Sequence, residues 1–196
     1  MNAQTSHPIG YPLTRIRYQR TEMVNPTEAV AHRDHLRTIG MSDYMIARAA
    51  GTAQRTIYVL HLRESVTKTV SDAVLGVSPR PMHQQAYVLA FGAHRRLDAL
   101  ACAGHSQAAI GAAMGVSKRR VQAIRRNSVI TWEAHAAVRD AFTRLWDVDG
   151  GSTRSKIHAR RSGLLPALAY DDLDDFYERP KRSVLRRGRL VRGVAA

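Results

Sequence analysis

The side chains of this chain that could bind a ligand are mostly cations. The 196 residues include 30 Lys and Arg against 16 Asp and Glu, so the formal net charge is +14 and the pI is near 10.9. The cations are unevenly distributed: residues 78–148 hold ten basic against four acidic side chains, residues 149–178 hold four against six, and residues 179–196 hold seven against none. Such a charge distribution attracts polyanions, so a nucleic acid is the favoured partner.

Side chains for catalysis or for metal binding are less evident. Asp171, Asp172, Asp174, Asp175 and Glu178 form an acidic cluster, but a Mg²⁺ site of the nuclease type also needs carboxylates from other rigid elements. We expect the cluster to fold back on basic helices or to mark an edge that binds a partner. No histidine pair combines with cysteine at a zinc-motif spacing, and no phosphate-binding loop or nucleophile motif is present. The sequence therefore predicts no enzyme, no metal site and no cofactor.

The composition also predicts where the protein works. Cys102 is the only cysteine, so an intramolecular disulfide is excluded, and we expect Cys102 to be a small core residue in a reducing compartment. Apolar runs such as residues 108–116 are far shorter than the roughly 18 residues of a membrane span. Residues 1–11 are polar, unlike a signal peptide. We expect a cytoplasmic, nucleoid-associated protein without a membrane partner.

The chain contains an internal repeat at an offset of 64 residues. Identical residues recur within the 36 aligned pairs that begin at residue 40, and most lie where a helical unit needs a cap, a turn or a core residue. The pairs include Gly40/Gly104, Ser42/Ser106, Ile46/Ile110, Ala49/Ala113, Gly51/Gly115, Thr67/Thr131, Ala73/Ala137 and Val74/Val138.

Caps, glycines and apolar spacing predict the same order of helices in both units. The first unit should hold helices over 27–38, from Ser42 to the turn at Gly51, from there to about Leu62, and after Thr67. The second unit should hold helices over 93–103, 106–113, 117–126 and 131–146. Alternation of polar and apolar residues, which would indicate a strand, is weak throughout and is clearest at 13–18. The predicted fold class is therefore all-α.

The turn between the second and third helix of each unit has a distinctive spacing. A small residue, a turn glycine and two aliphatic residues recur at equal intervals as Ala47, Gly51, Ile57 and Leu60, and as Gly111, Gly115, Val121 and Ile124. This spacing, and the segment GHSQAAIGAAMGVSKRRVQAIRR at 104–126, resembles the helix-turn-helix of bacterial repressors and of sigma-factor promoter-reading domains. Over residues 28–175 the chain resembles small tandem helix-turn-helix proteins of actinobacteria and their phages.

The resemblance implies that the third helix of each unit enters the major groove of DNA, where Arg can bind guanine and Gln can bind adenine through paired hydrogen bonds. The implied contacts in the second unit are Ser117, Lys118, Arg119, Gln122 and Arg126, with Arg120 and Arg125 directed toward phosphates. Those in the first unit are Gln54, Arg55 and Tyr58, with Thr52 and Thr56 nearby. Because Ala53 stands where Ser or Thr is common, Thr52 is the alternative cap, and the first unit is either a second reading head or a structural copy.

The expected organisation has six parts: a flexible N-terminal arm (1–26), a first helix-turn-helix unit (27–76), a linker (77–90), a second unit (91–148), a C-terminal helical extension (149–178) and a basic tail (179–196). We expect Leu164, Leu165, Leu168 and Tyr170 to dock the extension, and Trp132 and Trp146 to close the second core. In the tail, Arg182, Arg186, Arg187 and Arg189 are candidate phosphate contacts.

The sequence thus predicts a sequence-specific, double-stranded DNA-binding transcription regulator, repressor-like and able to act as a monomer with two reading heads. Because the heads differ, its operator should be asymmetric. Three alternatives stay open: a homodimer, a protein-interaction module that acts on RNA polymerase or another DNA-bound machine, and an architectural protein that binds DNA without sequence preference.

Overall fold

The computed structural model of the chain describes residues 21–83 and 85–181, and this part of the fold is mostly helical. Its helices are α1 (Thr27–Thr38), α2 (Asp43–Ala49), α3 (Gln54–Val59), α4 (Lys68–Leu75), α5 (Phe91–Cys102), α6 (Gln107–Met114), α7 (Lys118–Arg126), α8 (Trp132–Leu145) and α9 (Thr153–Ser162). Short 3₁₀ turns occupy Leu60–Leu62 and Ala167–Ala169.

Two small antiparallel sheets accompany the helices, so the expectation of an all-α fold is wrong in this respect. Strand β1 (Met23–Val24) pairs with β2 (Val66–Thr67), and β3 (Tyr87–Leu89) pairs with β4 (Val129–Thr131). Strands of two or three residues are too short to show the alternation that identifies a strand in a sequence. The weak alternation at 13–18 lies outside the described residues.

The two sets of elements follow one another at a constant offset. Helices α5, α6, α7 and α8 each begin 64 residues after α1, α2, α3 and α4. The strand register repeats as well, because Met23 faces Thr67 in the first sheet and Tyr87 faces Thr131 in the second. The offset found in the sequence is therefore also the offset between the structural elements.

Local signals determine where these helices begin and end. The side chains of Ser42, Ser106, Thr67 and Thr131 each accept a hydrogen bond from the backbone N–H three residues later, as helix-capping residues do. At Gly115, after α6, the backbone has a φ of 67°, which a residue without a Cβ adopts at little cost.

Each set of elements has its own cluster of buried apolar side chains. Leu36, Ile46, Ile57, Leu60 and Val74 belong to the first cluster, and Leu97, Leu100, Ile110, Val121, Ile124 and Val138 belong to the second. Trp132 is partly buried and packs against the second cluster, as expected, whereas Trp146, expected to close the same core, is 50% exposed, and Leu168, expected to dock the extension, is 73% exposed. Cys102 is half-buried, and burial raises the pKa of its thiol to about 11.

The C-terminal extension packs against α5. Ser152 is the N-cap of α9, where its hydroxyl accepts from the Ser155 N–H, and Gly163 is the C-cap, where φ is 68°. After the second 3₁₀ turn, residues 171–181 lie along α5 and carry the acidic cluster. No helix in residues 21–83 or 85–181 is long and apolar enough to cross a membrane.

Candidate nucleic-acid interface

Helix α7 is amphipathic, with one apolar side and one cationic side. Val121 and Ile124 are almost fully buried in the second core. Four basic residues of the helix are exposed to solvent, namely Lys118, Arg119, Arg120 and Arg126. Ser117 precedes them as the N-cap, and its hydroxyl accepts from the Arg120 N–H. The amphipathic pattern of the sequence therefore corresponds to an exposed cationic face.

The α6–α7 turn brings these two helices close together at one residue. A Cβ atom on Gly111 would lie 2.7 Å from the Val116 carbonyl oxygen, so a side chain at that position would displace the backbone of the turn. Val116 N–H donates to the Gly111 carbonyl at 2.8 Å, and this bond closes the turn. The sequence predicted a small residue at this crossing, and the close approach of the Val116 carbonyl explains why Gly111 has to be small.

Two polar residues of α7 have partners inside the protein. Arg125 donates to the Asp98 carboxylate and to the Leu97 carbonyl, both at 2.7 Å, so its guanidinium is directed back toward α5 rather than outward as expected for a phosphate contact. Although Arg125 lowers the pKa of Asp98, burial outweighs it and the pKa lies above its usual value. Gln122 donates to the Gln107 side chain at 3.1 Å. This bond orients its amide toward α6.

Helix α3, the counterpart of α7, is less cationic. Gln54, Arg55 and Tyr58 are exposed, whereas Thr52 and Thr56 are half-buried. The N-cap is Ala53, and the side chain of Thr52 makes no capping hydrogen bond, so the proposed substitute cap is wrong. Arg55 is the one basic residue within Gln54–Val59, while Tyr58 and the nearby Leu62 are 62% and 69% exposed.

A cationic element that the sequence analysis did not single out lies beside α7. Helix α9 carries Arg154, Lys156, His158, Arg160 and Arg161 and no acidic residue. A groove of about 320 Å³ separates α9 from α6 and α7. Its lining residues are Ala101, His105, Ser106, Gln107, Ala108, Ile110, Lys118, Arg125, Ser152, Arg154, Ser155 and His158. None of them is acidic.

The acidic cluster folds back on basic side chains, which was one of its two expected roles. The Asp174 carboxylate binds the Arg96 guanidinium through two contacts of 2.6 and 2.7 Å, while Asp172 pairs with Arg80 at 2.7 Å and Asp171 with Lys181 at 2.5 Å. Burial is the largest influence on Asp174 and opposes its ionised form, but the hydrogen bond to Arg96 and the nearby positive charges together outweigh burial and lower the pKa. Within the part of the chain that the structure describes, no three His, Cys, Asp or Glu side chains are grouped to hold a metal ion.

The tail residues Arg182, Arg186, Arg187 and Arg189 lie outside the described residues.

No protein-family profile, curated protein or solved structure matches the chain. Any statement about its role therefore depends on the residues themselves.

Proposed function

We propose that the chain is a sequence-specific, double-stranded DNA-binding transcription regulator of the repressor type. Two units with helix-turn-helix spacing would act in one chain, and α7 would enter the major groove as the principal reading helix. The observation that carries the proposal is the exposed face of α7, which presents Lys118, Arg119 and Arg126 while its apolar side is anchored in the second core. A helix held in this way can enter a groove about 12 Å wide without unfolding.

The internal partner of Arg125 limits its part in this proposal. Its bonds to Asp98 and Leu97 fix the position of α7 relative to α5, so we assign it a structural role. Arg119 and Arg126 stay available for base edges, and Lys118 and Arg120 for phosphates.

Selection of bound sites from a random pool of duplex DNA tests the proposal directly. An enriched motif is expected for a regulator, and the ratio of its affinity to that of random DNA separates a regulator from an architectural protein. If no motif is enriched and this ratio is near one, sequence-specific regulation is contradicted.

The variant Arg119→Ala tests the role of α7. We expect it to reduce discrimination at one base pair of the motif by about 1–3 kcal/mol, while affinity for random DNA changes little, because Arg can make paired hydrogen bonds to one guanine. Arg160→Ala is the matched control, since it removes the same charge from an exposed site on another helix. Equal effects of the two variants on the motif would show that Arg119 contributes charge alone.

A protein contact through the first unit is the second candidate function. It is favoured by the exposed Tyr58 and Leu62, because aromatic and aliphatic side chains are typical of the centre of protein interfaces and contribute little to phosphate binding. RNA polymerase is the partner to test. If the double variant Tyr58→Ser, Leu62→Ser binds DNA normally but no longer binds purified RNA polymerase, the first unit is an interaction module.

A further inference from the structure

We propose that the groove between α7 and α9 binds a phosphate of the DNA backbone, with Arg154 and His158 of α9 facing Lys118 of α7. This inference rests on the proposed function and adds a second contact surface to it. It assigns a binding role to α9, a helix whose surrounding segment has more acidic than basic residues in the sequence.

Two cationic side chains, Lys118 and Arg154, and the imidazole of His158 surround the groove. Lys118 lies on α7, whereas Arg154 and His158 lie on α9, 36 and 40 positions later in the chain, and all three line one space. Neither Lys118 nor Arg154 forms an ion pair with any described residue, and the lining contains no carboxylate that would neutralise them. Cations that converge on an open groove without internal acids attract an anion from outside the protein.

Helix N-termini reinforce these charges. Ser106, Ser117 and Ser152 are the N-caps of α6, α7 and α9, and the first and last of them line the groove. Each of these helices has at least eight residues, and its aligned peptide dipoles place a partial positive charge at its N-terminus. This charge adds to the positive potential of the side chains. The side chains define the site, and the helix ends strengthen it.

The segment before α9 is held against the α5–α6 turn by backbone hydrogen bonds. The Gly150 N–H donates to the Ala103 carbonyl and the Ser152 N–H to the Gly104 carbonyl, each at 3.0 Å. A Cβ on Gly150 would collide with the backbone of Gly104 and His105, so this segment approaches the α5–α6 turn as closely as a glycine allows. The groove is therefore formed before any ligand binds, and binding requires little further ordering.

His105, which lines the groove, forms hydrogen bonds to residues at the end of α8 and just after it. It is 5% exposed, and its Nε2 lies 3.0 Å from the Leu145 carbonyl and 2.9 Å from the Val148 carbonyl. Because both partners are acceptors, Nε2 carries the proton and donates. This side chain fixes the end of α8, and thereby the start of the segment that leads into α9.

A backbone phosphate fits this groove better than a base edge does. The lining offers cationic and hydroxyl donors but no carboxylate acceptor for base amino groups, and Lys118 connects the groove to the exposed face of α7. A duplex that receives α7 in its major groove presents a phosphate strand on each side of that groove. We assign the strand on the α9 side to Arg154 and His158.

The test compares Arg154→Ala with Arg160→Ala in the full-length chain. Arg160 is two residues beyond His158, about 200° around the helix, so its loss removes the same charge from the opposite face. We expect Arg154→Ala to flatten the plot of log affinity against log salt by about 0.9 and to weaken binding about fivefold near physiological salt, on selected and random duplexes alike. Arg160→Ala should match the wild type, and Arg154→Lys should restore most of the loss.

The outcomes separate this inference from the proposed function. If the wild type selects a motif but Arg154→Ala has unchanged salt dependence, the phosphate site in the groove is contradicted and the proposed DNA-binding regulator is not. A loss in Arg154→Ala without any selected motif supports the groove and contradicts sequence-specific reading, whereas absence of duplex binding by the wild type contradicts both. If Arg154→Ala leaves duplex binding unchanged but abolishes the binding of inorganic phosphate that the wild-type groove shows, the groove binds free phosphate and the backbone assignment is wrong.

Discussion

His135 illustrates how one buried side chain links pH to stability. It is 1% exposed, its Nδ1 has no hydrogen-bond partner among the described residues, and its Nε2 lies 3.6 Å from the Asp174 carboxylate. Burial lowers the pKa of His135 to about 4; Asp174 opposes this shift, while the charges of Arg96 and Arg139 add to it. The imidazole is therefore neutral in the folded protein over the whole physiological range.

We predict that stability falls as the pH drops from about 6.5 to about 4. In this window the unfolded chain binds a proton at His135 and the folded chain does not, so the loss approaches about 3 kcal/mol at the lower end. Above pH 6.5 the group is neutral in both states and contributes no pH dependence. Urea unfolding at neutral pH and near pH 5 measures the effect.

The variant His135→Leu is the control for this prediction. It keeps an apolar side chain of similar reach in the buried site but removes the titrating group, so its free energy of unfolding should depend less on pH within the window. Parallel curves for wild type and variant would assign the acid sensitivity to other groups. The shift of Asp174 does not interfere, because a lowered carboxyl pKa costs stability only below its ordinary value near pH 4.

At the scale of elements, the docking of residues 171–181 on α5 depends on a few specific contacts. Arg95 donates to the carbonyls of Leu173, Asp175 and Glu178, and its guanidinium lies 4.3 Å from the centre of the Tyr170 ring. A Cβ on Gly92 would occupy the place of the Asp174 carboxylate. The glycine at the start of α5 thus makes room for the Arg96–Asp174 ion pair.

We predict that Asp174→Ala destabilises the protein by about 3 kcal/mol, because it leaves the buried Arg96 guanidinium without its carboxylate. Thermal or urea unfolding measures the loss, and hydrogen exchange in residues 171–181 should rise with it. Asp171→Ala is the matched control: its carboxylate is 81% exposed and pairs with Lys181, so less than about 1 kcal/mol is expected.

A double variant shows whether the ion pair itself is responsible. Arg96→Met with Asp174→Leu removes both charges and should lose less stability than Asp174→Ala alone, since no buried charge is left without a partner. If the double variant is less stable than the single one, packing around Gly92 rather than the unpaired charge explains the loss.

The helices were predictable from the sequence because their signals are local. Ser42, Ser106 and Ser117 cap helices at the positions that the sequence indicated, and the apolar spacing of Val121 and Ile124 predicted the buried side of α7. The strand pairs were missed because two or three residues carry no periodic pattern. Element order and boundaries thus followed from short-range chemistry.

The candidate site was only partly predictable, because its remaining features depend on tertiary contacts. Nothing near Arg125 in the sequence indicates that Asp98, 27 residues earlier, would take its guanidinium. The groove was missed for a related reason: residues 149–178 were counted as one acidic segment, whereas folding pairs Asp171, Asp172 and Asp174 with cations outside α9 and leaves Arg154 of α9 without an acidic partner among the described residues. Summing charges along a segment cannot separate groups that folding separates.

At the scale of the whole molecule, the charge surplus is shared between the described residues and the residues that follow Lys181 in the sequence. Five arginines follow Lys181, and they account for five of the net fourteen positive charges. Lys181 has two contacts with earlier residues, because its N–H donates to the Ala169 carbonyl at 2.8 Å and its ammonium pairs with Asp171. The basic tail can therefore be removed after Lys181 without loss of these contacts.

We predict that deletion of residues 182–196 weakens binding to selected and random duplex DNA by the same factor. Each phosphate that the tail neutralises contributes about −0.9 to the slope of log affinity against log salt, so the five arginines account for up to about 4.5 of that slope. The ratio of specific to random affinity should stay constant, because phosphate contacts carry no sequence information. Binding titrations at several salt concentrations measure both quantities.

Replacement of the five arginines by glutamine should reproduce the deletion, and replacement by lysine should keep the wild-type slope. A deletion that lowers affinity for the selected site alone would place the tail among the base-reading elements.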